Sequence, residues 1–297
     1  MTDRERALVL GGGGASGNAW TIGVIAGLFD AGVDVTDADT IIGTSAGATT
    51  AAQICATKPP DLYAAILAAV PPTRRASSAP EQSSAANRPV PNHMEVTAAI
   101  IAASADPADM RRRMGAWVLE RSAASGDAAQ AQWRTTVSAR LPNQDWSQRA
   151  LLITAVNADS GEPVVFDRNS GVDLVDAVAA STAGGFAYTI GGTRYYDGGY
   201  RANENVDLAA GYARVLVLSP LGGRSRHPME WGTRLDAQVA ELRAQGSRVD
   251  AILPDSNSQA AMGSGLGIMD LSTRRPSAEA GYTQGKTLAE RLGDFWR

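Results

Sequence analysis

The stretch Gly43-Thr44-Ser45-Ala46-Gly47 is the one G-x-S-x-G pattern in the chain. An apolar run, "DTIIG", precedes it, and an alanine-rich run from Ala46 to Ala56 follows. A serine on a sharp strand-to-helix turn has its hydroxyl exposed at a helix N-terminus, where the dipole favours developing negative charge. The flanking glycines permit the turn and the close approach of neighbouring backbone. The plainer alternative is a serine that only caps a helix.

A serine nucleophile needs a base, and histidine is the usual one. The two histidines, His93 in "PNHMEV" and His227 in "SRHPME", sit in polar, proline-adjacent stretches and read as surface or loop residues. Asp197 in "RYYDGGYR" is the other candidate. A free aspartate, with a pKa of about 3.9, is a weak base toward a hydroxyl. Partial burial would raise that pKa, and a fixed hydrogen bond to Ser45 would supply positioning. Gly198 and Gly199 leave room for that approach, although Asp-Gly is also a common turn.

Gly12-Gly13-Gly14-Ala15-Ser16-Gly17 satisfies G-x-G-x-x-G and stands between an apolar run and a helical pattern. Such a turn aims backbone N–H groups at whatever lies above it. It could hold a dinucleotide pyrophosphate, form an oxyanion hole, or be only a tight turn. The nucleotide reading requires an acid at the end of the second strand, but that strand ends "IIGTSAG", and Asp37 and Asp39 lie before it. No Gly-Lys-Ser/Thr follows the loop, which excludes a P-loop.

The elements that must position these groups alternate. "RALVLGG" predicts a buried strand, Gly17 to Ala31 a helix, "DTIIG" a second strand, and Ala46 to Ala56 a second helix. Pro71 to Pro91, rich in Pro, Ser, Ala and Arg, predicts an exposed loop. Helices are predicted from Met94 to Ala103, after the cap Asp106 with Pro107, and from Asp127 to Arg140. "RALLITAVNADSGEPVVFDR" predicts a hairpin turning at Asp159-Ser160-Gly161, followed by a short helix from Asp173 to Ser181. Strands are predicted at "GGTRYYD", "ARVLVLSP" and "RVDAILPD", and helices from Met229 to Gln245 and from Ala278 to Leu292. This alternation predicts an α/β fold with a mainly parallel central sheet flanked by helices. Residues 1–297 read as one domain, with 71–149 as a helical cover inserted within it.

Composition narrows the function classes. The chain has 297 residues, 27 basic and 31 acidic, for a net charge of −4, and lacks a basic block suited to nucleic acid. Arg111 to Arg113 read as a solvated helix face. The lone Cys55 allows no internal disulfide and reads as a small core residue. Two histidines and one cysteine argue against a zinc site, and no calcium-loop pattern is present. No metal or organic cofactor is expected. Ala7 to Phe29 is free of charge, but glycines, Ser16 and Asn18 interrupt it, and the N-terminus lacks a signal-peptide layout. A cytoplasmic chain, with at most peripheral membrane contact, is the expectation.

Taken in order, the glycine loop, G-x-S-x-G and D-G-G resemble the patatin-like phospholipases, together with the "LVLGGGG" start and "DLVDAVAAST". The resemblance implies a three-layer α/β sandwich and hydrolysis of lipid acyl esters by a Ser–Asp dyad without histidine. It implies Ser45 as nucleophile, Asp197 as base, and the N–H groups of Gly12, Gly13, Gly14 and Ala15 as oxyanion hole. Two departures stand out. Ser16 occupies the position where the family usually has Arg or Lys, which makes neutral or single-chain esters the expected preference over diacyl phospholipids. "STAGGFAYTI" lacks the family's proline, so the wall of the acyl site is expected to differ. A catalytically silent lipid-binding protein of the same fold is the second expectation, and a nucleotide-binding module using the glycine loop the third.

Overall fold

The structure, a computed structural model, describes residues 5–70, 93–123, 126–263 and 268–297. Strand β1 (Arg6–Leu10) is buried from Ala7 onward and lies between two parallel neighbours, which is why its sequence is an unbroken apolar run. Helix α1 (Gly14–Asp30) follows, then β2 (Thr40–Gly43) and α2 (Ala46–Ala56). After α3 (Pro59–Ala68) come three helices, α4 (His93–Ala103), α5 (Pro107–Ala123) and α6 (Gly126–Ser138). Asp106 caps α5 by accepting the Asp109 N–H at 2.7 Å. The chain re-enters the sheet through β3 (Ala150–Asn157) and the hairpin strand β4 (Pro163–Phe166), then α7 (Leu174–Ser181). It continues through β5 (Tyr188–Ile190), β6 (Thr193–Asp197), β7 (Arg214–Leu218), α8 (Leu235–Ala244), β8 (Arg248–Ile252), α9 (Ser256–Met262) and α10 (Arg274–Trp296).

The strand order is β5-β6-β3-β2-β1-β7-β8, with β4 paired to β3. Strands β3, β2, β1, β7 and β8 run parallel, and β4, β5 and β6 add antiparallel pairs. The chain winds outward from β1 to β3 and then returns to β7 on the other side of β1. The order therefore reverses between β1 and β7, the place where open α/β sheets form a crevice at their C-terminal edge.

Period-two alternation splits each central strand between two cores. Leu8, Leu10 and Ile41 face the cluster containing Trp20, Ile25 and Phe295, whereas Ala7, Val9 and Ile42 face Leu235, Val239 and Leu242 of α8. Both faces of the sheet are thus covered by helices. A third cluster packs Met110, Met114 and Val118 of α5 on Val156 and Tyr196.

Helices α1 and α10 touch backbone to backbone. A Cβ on Gly27 would stand 2.2 Å from the Tyr282 carbonyl oxygen, and one on Gly285 would stand 2.2 Å from that of Val24. Helix α1 is buried over almost all its length, so its hydrophobicity all round reflects an interior position. Among the described residues no helix is long and apolar enough to cross a membrane.

Several sequence expectations need correction. Met229 to Gln245 is not one helix: a 3-10 turn at Met229–Trp231 ends at Gly232, whose φ of 65° breaks the run before α8. Helix α1 begins three residues before Gly17, and α10 extends beyond Ala278 to Leu292 at both ends. Helices α3 and α9 and strand β5 are additional to the elements expected from the sequence. The loop expected over 71–91 lies outside the described residues.

The backbone contact between α1 and α10 yields a stability test. Gly27→Ala should cost about 1–3 kcal/mol of folding stability through overpacking. A thermal melt of the purified variant should show a lower midpoint, and an unchanged midpoint would contradict the packing.

Candidate active site

Ser45 is the second of the two residues between β2 and α2 and the N-cap of α2, at φ 54° and ψ −119°. A non-glycine residue there is strained by about 1–3 kcal/mol, and its surroundings must enforce the geometry. They do so from three sides. A Cβ on Gly47 would lie 1.9 Å from the Leu10 carbonyl oxygen, so α2 starts in direct contact with the end of β1. A Cβ on Gly43 would lie 2.6 Å from Ala48 Cα. Thr44 donates its N–H to the Leu10 carbonyl at 3.0 Å, and Ser45 donates its N–H to Ser181 Oγ of α7 at 2.9 Å. Thr44 and Ser181 are fully buried and Ala46 nearly so.

Sheet register brings Asp197 to the same level. Gly43 pairs with Ile153, and Asp197 pairs with Ala155, two residues further along β3. Ser45, two residues beyond Gly43, therefore comes level with Asp197 across β3. Ser45 Oγ donates to Asp197 Oδ2 at 2.8 Å, and the Gly199 N–H donates to Asp197 Oδ1 at 2.8 Å. A Cβ on Gly198 would lie 2.3 Å from Thr154 Oγ1, so this turn is pressed against the sheet. Asp197 is only 8% exposed. Burial pushes its carboxyl up to about 6, against the lowering effect of its hydrogen bonds from Gly199 and Ser45.

Neither histidine bonds to Ser45 or Asp197. His93 Nε2 lies 3.1 Å from Tyr200 Oη, which donates to the Gly184 carbonyl at 3.0 Å. His227 is buried, contrary to the expectation of an exposed loop residue. Its ring packs by Trp231, and Nδ1 lies 2.8 Å from Thr233 Oγ1. Burial, with Arg226 and Arg111 nearby, lowers its pKa to about 4. Arg111 also departs from the expected solvated face: it is partly buried and donates Nε to the Gly161 carbonyl at 2.7 Å, whereas Arg112 and Arg113 are exposed.

The glycine loop adjoins the serine, since a Cβ on Gly12 would lie 3.4 Å from Ser45 Cβ. Its donors are fewer than expected. The Gly12 N–H is already committed to the Asn203 carbonyl at 3.1 Å, which removes Gly12 from the expected donor set. Gly14 and Ala15 lie in the first turn of α1, where N–H groups have no carbonyl four residues back, and Gly13 is the N-cap. That turn carries no acidic side chain, so its positive end is uncompensated by an acid of its own. A Cβ on Gly17 would meet Pro220 at 2.9 Å, which seats the helix at the reversal point between β1 and β7.

Ser16 is buried, with Oγ 3.4 Å from the Ile268 carbonyl. A guanidinium nevertheless reaches this loop from α10. Arg274 Nη1 donates to the Ala15 carbonyl at 3.2 Å and to Asn18 Oδ1 at 2.9 Å. The segment lacking the family's proline borders Asp197: Gly184 lies beside Oδ2, and Gly185, Phe186 and Ala187 line a cavity of about 700 Å³ with Leu119 and Trp133. Ser181, Thr154, Asn205 and Arg274 carry no motif of their own that marks them in the sequence.

The fold and site thus define an α/β protein that holds a serine at a strained strand-to-helix turn, bonded to a buried carboxylate and flanked by a glycine-lined helix start. A family model described as patatin-like phospholipase matches residues 8–210, a span that includes the glycine loop, the serine turn and the Asp197 segment. The chain belongs to the patatin-like phospholipase family. No curated protein matches it. Among solved structures, VipD from Legionella pneumophila is similar, at 13% identity and a TM-score of 0.42, over 97% of this chain and 67% of that one.

The raised Asp197 pKa has a stability consequence with a definite sign. A carboxyl whose folded pKa lies above its unfolded value favours the folded state at low pH, and that contribution is lost as pH rises from about 4 through about 6. At pH 7 the ionised group therefore opposes folding, by on the order of 2–3 kcal/mol. Asp197→Asn should raise the thermal midpoint at pH 7.5 and lose that advantage at pH 4. A variant less stable than wild type at pH 7.5 would contradict the burial argument.

Proposed function

We propose that this protein is a serine esterase that cleaves acyl esters of lipids through Ser45 and Asp197. The observation that carries the reading is the 2.8 Å hydrogen bond from Ser45 Oγ to a buried carboxylate that has no ion-pair partner among the described residues. Family membership supports the lipid acyl-hydrolase class. In the proposed reaction, Asp197 takes the hydroxyl proton as Ser45 Oγ adds to the ester carbonyl carbon. The N–H groups of Gly13, Gly14 and Ala15 receive the negative charge on the carbonyl oxygen. Collapse breaks the ester bond, and the departing alcohol takes the proton from Asp197. Water then adds to the acyl-enzyme, giving its proton to Asp197, and the proton returns to Ser45 as the fatty acid leaves.

Burial makes this carboxylate a better base than a free aspartate, because proton transfer improves as the catalytic pKa approaches the working pH. A fixed short hydrogen bond adds orientation. The helices over 93–138, within the proposed cover of residues 71–149, stand beside the Asp197 segment through His93 and Tyr200. Ser16 in place of a basic residue is the basis for the preference for neutral or single-chain esters over diacyl phospholipids.

The test is hydrolysis of a nitrophenyl acyl ester, with fluorophosphonate labelling read by mass spectrometry. Ser45→Ala should lose activity at least about a thousandfold and lose the label. Asp197→Asn should lose about 10²–10⁴-fold. His93→Ala combined with His227→Asn should stay within about threefold of wild type, since neither histidine serves as base. Retained turnover in Ser45→Ala would sink the mechanism, and collapse of activity in the folded histidine double variant would indicate a histidine-based triad. A folded wild type that never labels would favour the lipid-binding alternative.

A further inference from the structure

Among the described residues, two that are not glycine take a positive φ: Ser45 and Asn205, each at 54°. Asn205 is fully buried, although it lies in a loop. Its amide nitrogen stands 2.9 Å from Thr44 Oγ1, 2.7 Å from the Ala202 carbonyl, 3.3 Å from the Gly198 carbonyl and 3.4 Å from Thr154 Oγ1. Thr44 immediately precedes Ser45, and Gly198 immediately follows Asp197. One side chain therefore touches both halves of the Ser–Asp pair at their nearest backbone neighbours. Thr154, from the strand that separates them, completes the cluster by lying 3.0 Å from Thr44 Oγ1.

The orientation of this amide is set from its other end. Arg201 Nη1 donates to Asn205 Oδ1 at 2.6 Å, and a guanidinium can only donate, so the oxygen must face Arg201 and the NH₂ must face the four acceptors. Arg201 is itself anchored by an ion pair with Asp207, which also accepts from Gln238 Nε2 at 2.9 Å. The position makes three demands: a left-handed backbone, an acceptor for a guanidinium, and a two-proton donor. Asparagine meets all three. Aspartate would lose the donors and add a buried charge, and apolar residues would leave buried acceptors unpaired.

We propose that Asn205 is a positioning residue for the reaction: its amide clamps the Thr44–Ser45 turn to the Asp197–Gly198 turn and sets the separation of the nucleophile and the base. It acts through Thr44 and Gly198, without contact to substrate. This rests on the reading of Ser45 and Asp197 as the reacting pair. Misplacing a reacting group by about an ångström is worth up to about a hundredfold in rate.

The experiment uses Asn205→Gly, which keeps the left-handed backbone at no steric cost and removes only the amide. In the purified full chain, kcat for a nitrophenyl ester should fall about 10- to 100-fold while KM moves less than about threefold. The rate of fluorophosphonate labelling at Ser45 should fall in parallel. Thr44→Val, which removes the hydroxyl at the other end of the clamp, should show the same pattern. The double variant should fall no further than the worse single one, because both changes break one connection. A folded Asn205→Gly with wild-type kcat and labelling rate would overturn the proposal. So would losses that multiply in the double variant, or a shift confined to KM. If Asn205→Gly does not fold, Thr44→Val decides alone: unchanged kcat overturns the clamp. Wild-type labelling at Ser45 keeps the two readings apart, since its absence removes the Ser–Asp reading and the clamp with it, whereas labelling with an unaffected variant removes the clamp only.

Discussion

The central physical constraint is a buried carboxylate with no ion-pair partner among the described residues, held against a hydroxyl 152 residues distant in the chain. Charge burial of this kind is unfavourable unless neighbouring groups compensate it. Here the compensation is small: one backbone N–H from Gly199 and the Ser45 hydroxyl. The result is a carboxylate raised rather than lowered in pKa, to which the Ser45 hydroxyl donates. An arginine or lysine in the same place would stabilise the ion and remove its usefulness as a base.

Such an arrangement needs a rigid frame, and the sheet supplies it. Strand β3 pairs in parallel with β2 and antiparallel with β6, so its two neighbours present their C-terminal ends at one level. The serine sits at the end of one and the aspartate at the end of the other. Glycine is required where turns meet sheet backbone, at Gly47 against Leu10 and at Gly198 against Thr154. Larger residues at either place would push the two groups apart. The positive end of α1 faces this pair because β1, one strand further along, ends beside Ser45. Around β3, the ends of β6, β2 and β1 thus bring Asp197, Ser45 and the start of α1 to one crevice.

Much of this could be read from residue types and spacing. The apolar run of β1 and the glycine-flanked serine after β2 mark the parallel alternation, and the scarcity of histidine leaves Asp197 as the candidate base. The parts that could not be read depend on contacts between remote residues. Nothing local marks Gly12 as spoken for, because its acceptor is the carbonyl of Asn203. Ser181 looks like any helix serine until its hydroxyl meets the Ser45 N–H. His227 resembles a loop histidine in "SRHPME", yet it is buried, with its ring by Trp231 and Nδ1 by Thr233 Oγ1. The break at Gly232 was available in the sequence as a glycine, but a single glycine within a helical pattern does not by itself announce a left-handed residue.

The most direct test of the central claim is the pH dependence of fluorophosphonate labelling at Ser45, measured for wild type and Asp197→Asn. In the proposed reaction ionised Asp197 accepts the serine proton, so the wild-type rate should rise with pH through one ionisation near 6, well above an ordinary aspartate. In Asp197→Asn that step should vanish and the rate should be low throughout. A wild-type profile flat from pH 4 to 8 (covering the roughly 4 to 6 interval set by the ordinary and raised values), or an equally steep step surviving in Asp197→Asn, would contradict the account.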